Sequence, residues 1–85
     1  MQTWTVKLAH EAEKALARLD KKIQKRVLGR LRQLESNPRG HGAIKLTGSA
    51  RWRVRVGDYR IIYDIQDSVL IVMVVKIGHR REVYR

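Results

Sequence analysis

The sequence predicts an α+β fold in one domain, residues 1–85: an N-terminal strand, a two-helix hairpin, then a three- to four-stranded antiparallel sheet packed on the helices. Three observations lead there. Apolar residues recur at period two near the N-terminus, at helical spacing from Ala9 to Ser36, and at period two again after Pro38. A two-residue turn, Gly57-Asp58, separates two alternating runs, the signature of a hairpin. The apolar face of such a sheet needs a second layer, and the helix pair supplies it.

Each element has a local reason. Trp4, Val6 and Leu8 alternate with Thr3, Thr5 and Lys7, which suits a half-buried strand. Ala12, Ala15, Leu16 and Leu19 then follow at helical spacing. Asp20 is placed to cap a second helix with the apolar stripe Ile23, Val27, Leu28, Leu31 and Leu34. Pro38 disfavours the α region for Asn37, so this helix ends near Ser36, and R-G-H-G (39–42) forms a loop. Trp52, Val54 and Val56 alternate with Arg51, Arg53 and Arg55; beyond the turn, Tyr59, Ile61 and Tyr63 alternate with Arg60, Ile62 and Asp64. Gln66-Asp67-Ser68 reads as the next turn. V-L-I-V-M-V-V (69–75) is apolar on both faces, as a central strand is, and a basic segment, 78–85, follows.

Charge and composition exclude several function classes. Nineteen Lys and Arg against eight Asp and Glu give a formal charge of +11, shared between residues 1–40 (10 basic, 4 acidic) and 41–85 (9 basic, 4 acidic). So even an excess is not a basic tail on a neutral fold, and it points to an anionic partner. The 44% hydrophobic content is too high for a disordered chain. With no cysteine there is no disulfide, thiolate nucleophile or Cys-ligated zinc. His10, His41 and His79 lack metal-ligand spacing, and the glycines form no phosphate loop, so neither metal nor cofactor is expected. No N-terminal apolar region and no run near the roughly 20 residues of a membrane span are visible, so a cytoplasmic protein without a membrane partner is expected.

If Gly57-Asp58 sets the register, Val56 faces Tyr59, Arg55 faces Arg60, Val54 faces Ile61, Arg53 faces Ile62 and Trp52 faces Tyr63. One face is then core and the other arginine. Like charges directly opposite cost up to about 1 kcal/mol, so structure alone does not explain the pairing. A solubilising edge is one reading; a phosphate-binding surface of guanidinium forks is the other, favoured because no Asp or Glu alternates with the arginines. Lys21, Lys22, Lys25, Arg26, Arg30 and Arg32 fall between the apolar positions of the second helix, where a solvated face accounts for them and they also steer an anion. His79, among arginines in sequence, is either a proton carrier or a surface residue. Tyr84 either stacks on a base or covers the sheet edge.

The K-L-T-G segment (45–48), W-R-V-R-V-G-D-Y-R-I-I-Y (52–63) and I-G-H-R-R-E-V-Y (77–84), in this order, resemble the RelE/ParE toxin superfamily of bacterial and archaeal toxin–antitoxin systems, on its RelE branch. The resemblance implies the RelE-like microbial ribonuclease fold. It also implies a toxin that enters the ribosomal A site and cuts mRNA by attack of a ribose 2′-OH on the adjacent phosphate, restrained by a RelB-like antitoxin. Ribosome and mRNA are then its partners. Carried over by residue, it places Arg53 and Arg55 near the 2′-OH and phosphate, where the best-known members have lysines. Arg60, of the Y-R-x-x-Y motif, stabilises the phosphorane; Arg80 serves the leaving 5′-oxygen and Tyr84 orients the base. Lys21, Lys22, Lys25, Arg26, Lys45, Arg51 and Arg81 become candidate RNA or rRNA contacts. Arginine stays protonated, so Arg55 is a poor general base; electrostatic stabilisation and geometry then carry the chemistry, with His79 or Tyr84 as proton carrier. Two alternatives remain: a gyrase-directed toxin of the ParE branch, and a non-catalytic nucleic-acid-binding remnant.

Overall fold

Alternation of Thr5 and Lys7 with Val6 and Leu8 produces β1 (Thr5–Leu8), the first element of a computed structural model that describes residues 3–80. α1 (His10–Arg18) and α2 (Lys21–Ser36) follow, then β2 (Ile44–Lys45), β3 (Trp52–Val56), β4 (Tyr59–Gln66), a 3-10 turn (Asp67–Val69) and β5 (Ile71–His79). α2 stops at Ser36, two residues before Pro38, as the sequence predicts. Asp20 stands at its N-cap without a side-chain capping bond. The joint between the helices is closed instead by Gln24, whose side-chain amide donates at 3.0 Å to the Leu16 carbonyl, which also accepts from the Leu19 amide at 3.2 Å.

The four strands after the helices pair antiparallel in the order β5-β4-β3-β2, and β1 joins the outer side of β5 in parallel. The sheet therefore has five strands and is mixed. The pairing of β1 with β5 joins the first and last described strands, which no local pattern encodes. β2, too short to show a period, is likewise absent from the sequence reading. β5 starts at Ile71 rather than Val69, because Asp67–Val69 coil into the 3-10 turn and Leu70 takes a left-handed conformation (φ 52°). Both helices cover one face. Ala12 and Leu16 from α1 and Val27, Leu31 and Leu34 from α2 meet Val54, Val56, Ile61, Tyr63, Val72, Val74 and Ile77 from the sheet. Leu28, counted in the apolar stripe from its spacing, is 40% exposed: Val27, Leu31 and Leu34 line up along α2, and Leu28 lies about 100° round from Val27.

The loop after α2 is fastened to the sheet twice. Tyr63 Oη, buried, donates to the Pro38 carbonyl at 2.6 Å. Arg39 forms a two-pronged pair with Asp67 (Nη1–Oδ1 2.9 Å, Nη2–Oδ2 2.8 Å) and lies over the Trp52 ring, 5.7 Å from its centroid. The hydrogen bond from Arg39 holds the Asp67 carboxyl below the usual aspartate range. The pair's stabilisation is therefore present above the ordinary Asp pKa and is lost as pH falls through the lowered value. An NMR titration should show Asp67 titrating below the range of a free aspartate and returning to it in Arg39→Ala; no change on substitution would remove this assignment.

Gly29 stands inside α2, exposed, and a Cβ built there meets nothing within 4 Å. Packing does not require a glycine at this position, yet a mid-helix glycine costs roughly 0.5–1 kcal/mol relative to alanine. Gly29→Ala is expected to stabilise the fold by that amount in urea unfolding; destabilisation would show a steric demand the backbone does not reveal.

Candidate functional site

The β3–β4 register is the one the turn dictates: Val56 opposite Tyr59, Arg55 opposite Arg60, Val54 opposite Ile61, Arg53 opposite Ile62 and Trp52 opposite Tyr63. Gly57 adopts φ +59° to close this turn. Alternation puts Val54, Val56, Ile61 and Tyr63 against the helices and sends Arg53, Arg55 and Arg60 to the opposite face. On β4 the neighbour of Arg60 across to β5 is Gly78, which has no side chain to fill the space beside the guanidinium. The Arg80 amide donates to the Asp58 carbonyl at 2.8 Å, tying the end of β5 to the hairpin turn. Arg55, Arg60 and Arg80 thus stand at the hairpin-turn end of the sheet, with Arg53 two residues further along β3 on the same face as Arg55 and Arg60.

Arg60 is the one buried charged side chain among the described residues, at 7% exposure. Its Nη1 donates a long hydrogen bond (3.3 Å) to the adjacent Tyr59 carbonyl, and its buried Nε meets no acceptor among the described residues. Neither Arg55 nor Arg60 pairs with a carboxylate among the described residues. A buried donor without an acceptor costs about 1–3 kcal/mol, and the Arg55–Arg60 apposition adds to it. A phosphate bound between the two guanidiniums would relieve the apposition. Arg51, next to the row, approaches Asp64 at 3.7 Å in a partly exposed pair that contributes little.

The pairing of β4 with β5 corrects the reading of His79. Ile62 faces Lys76, but Asp64 faces Met73, so β5 spends three residues where β4 spends two. This bulge inverts the alternation: Val72 and Val74 face the helices before it, Ile77 and His79 after it. His79 consequently packs edge-on against Tyr59 (centroids 5.6 Å apart) and borders a hollow with Ala15, Arg18 and Leu19 on the helix side, away from the arginine row. The same bulge brings Lys76, exposed, onto the arginine face, where sequence reading had not placed it. Its amine can exchange a proton where a guanidinium cannot.

The remaining candidates divide. Lys45 faces Trp52 across β2–β3 and so belongs to the helix-side edge. Lys21, Lys22 and Lys25 are exposed on α2, away from the row. Arg26 folds against the hairpin turn, its Nη1 3.3 Å from where a Gly57 Cβ would project. Arg81 and Tyr84 lie outside the described residues.

A family model described as the ParE toxin of the type II toxin–antitoxin system, parDE, matches residues 6–84. Among solved structures, a chain of the archaeal RelE–RelB complex from Pyrococcus horikoshii is 32% identical, with 92% of this chain and 96% of that one covered and a TM-score of 0.81. A chain of the RelBE2 toxin–antitoxin complex from Mycobacterium tuberculosis is 25% identical over 92% and 99%, with a TM-score of 0.82. The YoeB/ParE toxin from Agrobacterium tumefaciens, 17% identical over 88% and 96%, has the same fold with a TM-score of 0.77. No curated protein matches the chain.

Proposed function

We propose, for a chain that belongs to the RelE/ParE toxin superfamily and within it to the RelE branch, that it is a ribosome-dependent endoribonuclease cutting mRNA in the A site. The observation that carries this reading is the buried Arg60 beside Arg55, two guanidiniums without carboxylate partners among the described residues. In the reaction the ribose 2′-oxygen bonds to the adjacent phosphorus as the bond from phosphorus to the 5′-oxygen breaks, leaving a cyclic phosphate and a 5′-hydroxyl end. Negative charge grows on the non-bridging oxygens, and preformed donors aimed at it lower the barrier. Arg60 is assigned to that charge, Arg53 and Arg55 to the attacking side and phosphate, Arg80 to the leaving 5′-oxygen and Tyr84 to the base.

Guanidiniums do not accept the proton of the 2′-OH, so it leaves to water, and the 5′-oxygen takes its proton from water as it departs. The ribosome's alignment of the 2′-oxygen for in-line attack therefore carries much of the rate, and naked RNA is a poor substrate. The ribosome places the toxin in the cytoplasm. Its restraint is an antitoxin, like those in the RelE–RelB and RelBE2 complexes, with an acidic or amphipathic segment that complements the +11 charge.

The test is to add the purified protein to programmed ribosomes and to naked mRNA and map 5′ ends by primer extension. Cuts confined to the A-site codon and dependent on ribosomes are expected. The match to the ParE family model favours a second reading, a toxin acting on gyrase. DNA breaks with translation intact on induction would establish it and overturn the first.

A further inference from the structure

Two adjoining hollows, of about 670 and 350 Å³, run between α2 and the edge of β3 and share Arg30, Gln33 and Arg55. They exist because β2 pairs with Trp52 and Arg53 alone, leaving Val54–Val56 as a strand edge that no described strand covers. Arg26 and Arg30, one turn apart on α2, form the opposite wall. Each is seated on a glycine turn: Arg26 against Gly57, and Arg30 with Nη2 3.2 Å from where a Gly42 Cβ would project. Arg30 is further held by hydrogen bonds to Gln33 Oε1 and the His41 carbonyl, both 2.7 Å. Among the described residues neither arginine pairs with a carboxylate. Gly29 lies between them and borders the smaller hollow, with open space where its Cβ would project.

We propose that this cleft is a second phosphodiester subsite, which takes the single-stranded RNA leaving the arginine row past Arg55. The proposal rests on the ribonuclease reading and extends its substrate contact from the scissile bond to the flanking nucleotides. Arg55 carries the continuity, since it belongs to the row and borders both hollows. The lining favours RNA over an antitoxin helix. Fixed guanidiniums and side-chain amides suit phosphates and riboses, whereas an amphipathic helix needs apolar anchors, and among the described residues the apolar side chains of the lining are Ile44 and the buried Val56.

Gly29→Glu places a carboxylate in the cleft where there is room for it, and Ala17→Glu, on exposed α1, makes the same charge change elsewhere. Thermal melting establishes that each variant is folded. Fluorescence anisotropy then follows 2′-O-methylated, uncleavable RNAs of about four and about twelve nucleotides. Gly29→Glu is expected to weaken the longer RNA about tenfold relative to wild type, with a shallower salt dependence, while Ala17→Glu stays within about twofold. The shorter RNA should bind all three proteins alike. Equal binding of the longer RNA by Gly29→Glu and wild type would overturn the subsite and leave the ribonuclease reading standing. A wild type that binds no RNA and cuts none on ribosomes would end both. Loss of antitoxin capture by Gly29→Glu with RNA binding intact would make the cleft a protein-docking site and overturn the proposal.

Discussion

Arg60→Met is expected to abolish cleavage and to stabilise the protein. Removing a preorganised donor from a developing oxyanion typically costs about 10²–10³ in rate, equivalent to about 2.7–4 kcal/mol. The guanidinium is buried, faces Arg55 across the hairpin, and leaves Nε without an acceptor among the described residues. A thioether of similar length removes the repulsion and the unmet donor, so urea unfolding should show a gain of about 1–2 kcal/mol. Arg60→Lys separates the contributions, since it keeps the charge but loses the planar fork; it should retain partial activity with no stability gain. Wild-type cleavage by Arg60→Met would remove Arg60 from the chemistry. A destabilised Arg60→Met would show that the guanidinium is a structural strut.

The repulsive half of this trade-off could be anticipated from sequence because the hairpin is locally encoded. Gly57-Asp58 fixes the register, and the register alone sets Arg55 against Arg60. Sequence could not show that Arg60 is buried while Arg55 and Arg80 are exposed, because burial depends on strands distant in the chain. The bulge in β5 was equally hidden. V-L-I-V-M-V-V has side chains suited to either face, so no position announces the extra residue, and the slip shows only where the faces become chemically different, at Lys76 and His79. Continuing the alternation of Val72 and Val74 puts His79 with the arginines and Lys76 in the core. The structure does the reverse, and the mismatch of placing Lys76 in the core was the one available warning. The cleft beside α2 was illegible for another reason: it needs the loop at Gly42 and the turn at Gly57 to meet α2.

Raising pH should unfasten the loop that borders this cleft, through Tyr63. Burial pushes its phenol up from 10.0 to about 12, because the phenolate would lose its water in the core. Below pH 10 the phenol is neutral in both folded and unfolded chains, and its contribution to stability is whole. Above that the unfolded chain ionises first, so stability falls as pH rises from the ordinary phenol value through the folded one, by on the order of 2 kcal/mol in all. Tyr63→Phe removes this slope. It also removes the bond to the Pro38 carbonyl, at about 1 kcal/mol near neutrality. The difference between wild-type and Tyr63→Phe unfolding curves, followed from pH 9 to 12, isolates Tyr63 from the lysines that titrate in both. A difference constant across that range would refute the assignment. Because Pro38 begins the segment in which the Ala43 amide donates to the Gly40 carbonyl at 3.1 Å, Tyr63→Phe should also speed exchange of the Ala43 amide at neutral pH. Faster exchange there with the β3–β4 amides unchanged would place the clamp between the core and the wall of the RNA cleft, so that one buried hydroxyl holds the loop against the sheet.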